Sequence, residues 1–191
     1  MLTILGRSLE LNELVESDLV TLCNWRNSAC YMQFCTSRRS ALSLDEFKEE
    51  IFRDFSTDRH AQFIIRRRGI AIGTIFSHGL SRVDGHVFIT TYIDEKYQTL
   101  GFGPEAFVLF FDYLVHTEDL FKVYTDVYSY NRNSLDGLLK VGFVEEGRFV
   151  GHRLFDGNRH DVIRLAFYTE KLLSVRKLIR WLTGTHASTI I

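Results

Sequence analysis

The chain has 191 residues, 46% of them hydrophobic and 25% charged, which is enough to bury the core of one domain and describes an ordinary soluble globular protein. A formal net charge of -1 excludes the basic excess of a broad nucleic-acid footprint, so no nucleic acid is expected as a partner. Cys23, Cys30 and Cys35 contain no Cys-x-x-Cys pair, which argues against a disulfide framework or a metal site and for a reduced, cytoplasmic setting.

Met1 to Leu5 has no charged flank for a signal peptide, and no stretch reaches the ~20 apolar residues of a membrane span. Leu9, Leu11 and Leu14 fall in a first predicted strand. Ser17 then reads as the cap of a helix that carries Leu19, Leu22 and Cys23 and runs to Trp25-Arg26-Asn27. Ser43-Leu-Asp-Glu46 is a capping box, followed by Phe47, Ile51 and Phe55 along one helical face. Strands over Gln62–Arg66 and Ile70–Phe76 flank the hairpin signal Arg68-Gly69. After a turn at Val83-Asp84-Gly85, Val87, Ile89, Thr91 and Ile93 alternate with Phe88, Thr90 and Tyr92, a strand covered on both faces.

The stretch Tyr97-Gln98-Thr99-Leu100-Gly101-Phe102-Gly103-Pro104 follows. Its glycines permit positive φ and close approach of a ligand, and Pro104 suits the first position of a helix. Free N–H groups converging on a helix start form an anion site, which fits the pyrophosphate of a nucleotide-bearing cofactor. The helix Pro104–Val115 is apolar nearly all round and therefore buried. Lys122 to Tyr130 is the next strand, so strand, helix and strand make a right-handed crossover between parallel neighbours. A helix over Arg132–Lys140 stops at Gly142, and strands Val144–Leu154 and His160–Tyr168 are joined at Asp156-Gly157-Asn158. Residues 1–170 thus read as a single domain. In 171–191, Leu172, Val175, Leu178, Ile179 and Leu182 share a helical face opposite Arg176, Lys177 and Arg180. That pattern fits a C-terminal helix docked on the body, a homodimer contact or an anionic membrane surface, followed by a flexible end.

Gly101-Phe-Gly103-Pro-Glu-Ala106 formally matches a dinucleotide fingerprint, with Asp126 on the following strand as the ribose acid. Three features weigh against it: Glu95 to Leu100 separate the glycines from their strand, about half the chain precedes them, and too few strand–helix units follow. A wider pattern fits better. Gln98-x-x-Gly101-x-Gly103 at a helix start, then Asn131-x-x-Ser134 opening a second helix that stops at Gly142-Phe143, resembles the GNAT superfamily of acetyl-CoA-dependent N-acetyltransferases. Leu11 to Asp18, Trp25-Arg26-Asn27 and the hairpin from Phe155 to Val162 resemble its RimJ/RimL-like, ribosomal-protein and aminosugar branch.

The resemblance implies an α/β (α+β) GNAT fold: a mixed, mostly antiparallel sheet with a splayed parallel βαβ core and helices on both faces. It also implies acetyl-CoA as the cofactor, held by Gln98, Thr99, Leu100, Gly101, Phe102 and Gly103, with Tyr92, Ile93, Asn131 and Ser134 along the pantetheine arm. Asn131 is also the residue type of an ordinary helix cap. The implied reaction is direct attack of an amine on the thioester, with the Ile93 N–H stabilising the oxyanion. Leu138 stands where many members have the tyrosine that protonates the thiolate, which leaves Ser134 for that task. Val87-Phe88-Ile89 lacks the strand glutamate of many members, and Arg153 replaces the glutamate of the ribosomal-protein members. His86, His152, His78 and Asp84 remain as bases, His being suited by its titration near neutrality. His152 also matches a histidine of flagellin-type aminosugar acetyltransferases. Trp25, Arg26, His78 and Arg153 are the expected acceptor-binding residues, the two arginines suiting a phosphate or carboxylate. A small molecule such as a nucleotide-linked amino sugar is the expected acceptor; a protein N-terminus, or a non-catalytic acyl-CoA-binding module, is the alternative.

Overall fold

The structure, a computed structural model, describes residues 2–171. Period-two alternation and short turns generate eight strands: β1 Thr3–Leu5, β2 Glu10–Glu13, β3 Arg59–Arg67, β4 Ile70–Ser81, β5 His86–Ile93, β6 Lys122–Tyr128, β7 Val144–Phe155 and β8 Asn158–Tyr168. They form one sheet in the order β1-β2-β3-β4-β5-β6-β8-β7. Every neighbouring pair is antiparallel except β5 and β6. The β3–β4 and β7–β8 turns carry positive φ at both central residues, Arg68 and Gly69 at 50° and 76°, Asp156 and Gly157 at 48° and 74°. That backbone matches the strand twist and closes a two-residue hairpin.

Among the described residues, five helices cover the sheet: α1 Leu19–Arg26, α2 Ala29–Phe34, α3 Leu44–Thr57, α4 Phe102–Thr117 and α5 Arg132–Val141. α4 is the spine of the main core. Its Phe110, Phe111 and Leu114 are fully buried and share one cluster with Leu11 of β2, Ile65 of β3, Val87 of β5, Val123 of β6 and Phe167 of β8. Each such side chain contributes about 1.5–3 kcal/mol by leaving water, so α4 joins both halves of the sheet. On the other face, Leu22 and Trp25 of α1 and Phe47 of α3 pack on Ile64 and Tyr92. Helices therefore lie on both faces, as the family resemblance implies.

Several local expectations are corrected. α4 begins at Phe102, so Pro104 is the third helical residue rather than the first; a missing N–H is equally harmless there, since the whole first turn lacks intrahelical acceptors. Ser17 does not cap α1: Glu16–Asp18 form a 3-10 turn, and Asp18 is the residue before the helix. The first predicted strand shortens to β2, with β1 pairing outside it. α2 was not anticipated; its cap is Ser28, which accepts from the Tyr31 N–H at 3.2 Å. Within the described residues, no helix is long and apolar enough to cross a membrane. The predicted C-terminal helix lies outside them except for Lys171, which ends a 3-10 turn over Thr169–Lys171.

Candidate active site

β5 and β6 pair only through His86↔Lys122, Val87↔Val123 and Phe88↔Tyr124. Beyond Phe88 and Tyr124 the strands part, and a fork opens toward the loop after β5. Asp94 N–H donates to the Ile72 carbonyl at 2.9 Å. Ladder alternation then points the N–H groups of Tyr92 and Thr90 toward β4 and those of Ile93 and Thr91 to the opposite edge, into the fork. Thr91 lies nearer the fork's foot than Ile93, and no side-chain motif marked it.

Asp94 caps a 3-10 turn, Glu95–Tyr97, by accepting the Lys96 N–H at 3.1 Å. Thr99 and Gly101 then take left-handed backbone, at φ 63° and 84°. Gly101 precedes α4, and no side chain caps its first turn. The N–H groups of Phe102 and Gly103 thus stand at an open helix start beside the fork, where the helix dipole favours an anion. The carboxylate of Glu105, one position beyond Pro104, is turned away: it is buried and accepts from the N–H and hydroxyl of Ser8, the former at 2.8 Å. The Arg67 guanidinium lies 4.8 Å over the Phe102 ring and brings positive charge to the loop.

Interior braces hold this edge in place. The Trp25 indole N–H donates to Asp94 at 2.9 Å, and Trp25 is only 7% exposed. The Gln98 amide donates to the Ile93 carbonyl at 2.9 Å and approaches the Cys30 thiol at 3.3 Å, closing the loop on itself. Tyr92 packs between the rings of Trp25 and Tyr31, with its hydroxyl 3.4 Å from Ser28. Burial pushes its phenol up to about 12. On the other side, Gly73 lets β4 approach the Tyr92 carbonyl, a contact that sequence reading missed.

α2 forms a wall that reaches from the loop after β5, through Cys30 and Gln98, to the last hairpin. Tyr130 donates to the Gln33 carbonyl at 2.7 Å, and its ring stacks on Phe155 and Tyr128. Arg153 is 6% exposed and donates to the Met32 and Thr36 carbonyls at 3.2 and 3.0 Å, with its charge 4.7 Å over the Tyr128 ring. Arg26 is 3% exposed and binds Glu50, which also pairs with Arg38. Of the predicted acceptor residues, Trp25, Arg26 and Arg153 are therefore buried, held by Asp94, by Glu50 and by the end of α2 respectively.

The histidines scatter. His86 sits at the closed end of the fork, its ring 5.5 Å from Tyr124. His152 is exposed on β7, which β8 separates from the fork. His78 faces Phe88 and Thr90 at the fork's foot. Asp84 accepts from Ser81 in the turn before β5. Asn131 caps α5 by accepting the Ser134 N–H at 3.3 Å, and Ser134 is exposed in that helix's first turn. Leu138 is packed against the main core.

The sequence model of the acetyltransferase (GNAT) domain matches residues 8–144. Among solved structures, spermidine N-acetyltransferase from Vibrio cholerae, in complex with CoA and spermine, superposes with a TM-score of 0.80 at 23% identity, over 87% of this chain and 98% of that one. RimL, a ribosomal L7/L12 alpha-N-protein acetyltransferase in complex with coenzyme A, does so at 0.77 and 17% identity, over 88% and 98%. No curated protein sequence matches the chain. At these identities the structural likeness establishes the fold; the domain match over most of the chain establishes the family.

Proposed function

Because the chain belongs to the GNAT acetyltransferase family, we propose that it moves an acetyl group from acetyl-CoA to a primary amine on a small molecule, with a nucleotide-linked amino sugar as the leading acceptor. The observation that carries this reading is the fork between β5 and β6, opening onto an uncapped helix start. An extended pantetheine arm fits the vacated edge of β5 as an added strand, and the Thr91 and Ile93 N–H groups face it. Phe102 and Gly103 N–H groups suit its pyrophosphate.

Acetyl-CoA supplies an activated thioester, and the chain's residues do the positioning. Thr91 and Ile93 offer N–H donors to the carbonyl oxygen as charge develops there. The Asn131 side-chain oxygen holds the start of α5, which leaves its amide N–H groups to face the arm. Ser134, exposed in the first turn of α5, is the proposed donor of a proton to the departing sulfur, its hydroxyl being replenished from solvent. The wall of α2 and the Tyr128–Tyr130–Phe155 rings bounds the acceptor's approach.

Isothermal titration with acetyl-CoA tests the donor site; no binding at high micromolar ligand overturns it. Thiol release on a panel of a UDP-linked amino sugar, spermidine and an N-terminal peptide then ranks the acceptors. Fastest release with the peptide would replace the small-molecule reading by protein N-terminal acetylation.

A further inference from the structure

On the face of the sheet away from α4, three side chains from three elements form a line at the foot of the fork. Asp58, the residue that ends α3, places Oδ2 3.7 Å from His78 Nδ1, while its Oδ1 accepts the Gly79 N–H at 2.8 Å. His78 Nε2 lies 3.5 Å from Thr90 Oγ1. The imidazole is held flat on Phe88, with centroids 5.5 Å apart and planes 22° apart, and Phe88 stacks on Tyr124 at 5.2 Å. Gly79 allows this packing: it turns at φ +59°, and a Cβ there would stand 3.1 Å from the Phe88 ring. Phe88 and Tyr124 are the last pair before the strands part, and Thr90 is the next residue on that face of β5.

We propose that Asp58, His78 and Thr90 form the proton relay that deprotonates the acceptor amine, an assignment that rests on the acetyl-transfer reading above. Asp58 favours the tautomer with hydrogen on Nδ1, which leaves Nε2 to accept from the Thr90 hydroxyl. The amine nitrogen bonds to the acyl carbon while the carbonyl π electrons move onto oxygen; as the carbonyl re-forms, the carbon–sulfur bond breaks and sulfur leaves with the electron pair. The nitrogen's proton passes to Thr90 Oγ1 while the threonine's own proton passes to His78 Nε2. The imidazolium stands beside Asp58 until it releases the proton to solvent. Thr90 touches the acceptor; His78 and Asp58 act through it. Such contacts commonly lengthen without ligand and tighten when the substrate is bound. Other charged or titratable groups near the imidazole are His86 beside Phe88 and Arg164, which lies 4.7 Å over Phe88 and pairs with Asp126.

The test compares the full chain with His78→Gln, His78→Ala, Thr90→Val and Thr90→Ser. Acetyl-CoA affinity is measured first, then kcat and KM with whichever of the UDP-linked amino sugar, spermidine or the peptide turns over fastest. The relay is supported if acetyl-CoA affinity is unchanged, kcat falls about 100-fold in His78→Gln and Thr90→Val, Thr90→Ser keeps most activity, and added imidazole partly restores His78→Ala. Wild-type kcat in His78→Gln overturns the relay and leaves acetyl transfer standing. Loss of acetyl-CoA affinity in His78→Gln marks a structural residue and also overturns the relay. A wild-type chain that binds acetyl-CoA but acetylates none of the three overturns transfer and relay together.

Discussion

Gly73 meets Tyr92 so closely that a Cβ on the glycine would stand 2.2 Å from the Tyr92 carbonyl oxygen. Both partners are backbone, so the clash can be relieved only by moving β4 against β5. Gly73→Ala is expected to destabilise the chain by about 1–3 kcal/mol, as overpacking does, and to shift the edge that faces the fork. Urea denaturation measures the first effect and acetyl-CoA titration the second, with a weakened affinity expected.

Gly103 differs in kind. Its nearest neighbour to an added Cβ is Ile93 Cγ1 at 3.9 Å, an ordinary contact. Gly103→Val is therefore expected to fold normally by circular dichroism, yet to lose acetyl-CoA affinity by tenfold or more, about 1.4 kcal/mol, because the branched side chain fills the anion's approach. Unchanged affinity would remove the loop from the donor site.

Trp25→Phe keeps an aromatic ring and deletes the donor to Asp94. The lost bond to a charged acceptor is expected to cost about 1.5–3 kcal/mol and to loosen the turn that Asp94 caps. Chemical denaturation gives the first value. Faster amide exchange over Glu95–Gln98 reports the second.

Arg153→Ala removes two bonds from the end of α2 and the guanidinium over Tyr128. A loss of at least about 2 kcal/mol is expected, since the Met32 and Thr36 carbonyls lose their donor and the stem leaves a void. With acetyl-CoA binding intact, the acceptor KM should rise. A KM unaffected by the change would separate α2 from the acceptor's approach.

Tyr92 gives a pH dependence with a defined sign. Its phenol ionises near 10.0 when exposed, and burial pushes it up to about 12 in the fold. The unfolded state therefore loses its proton first, and this contribution, fully present below pH 10, falls as pH rises toward 12. Across that window wild type should lose stability relative to Tyr92→Phe, read from the difference between their denaturation midpoints.

Local signals in the sequence were the readable ones. Ser43 and Glu46 form the reciprocal cap their spacing promised, with Ser43 N–H donating to Glu46 at 2.8 Å. Gly142 ends α5 in left-handed backbone, and the glycine loop does open a buried helix. What stayed hidden depends on register and distant pairing. Trp25 reaches Asp94 across 69 positions and Arg153 reaches Met32 across 121, so neither brace leaves a periodic trace. That both residues are buried follows from this packing and not from their residue types. The His78–Thr90 approach likewise follows from the β4–β5 register.

The short seam between β5 and β6 also bears on how the chain is made. Strands β1 to β5 are consecutive along one side of it, and β6 to β8 fill the other, so no strand crosses from one group to the other. A chain emerging from the ribosome has every strand partner of β1 to β4, and one of the two partners of β5, once Ile93 is out. Only α4 must follow to cover their apolar face, and the remaining three strands can then join along three residue pairs. Synthesis from the N-terminus thus coincides with the order in which the halves become able to fold, which limits the time an unpaired edge is open to other chains.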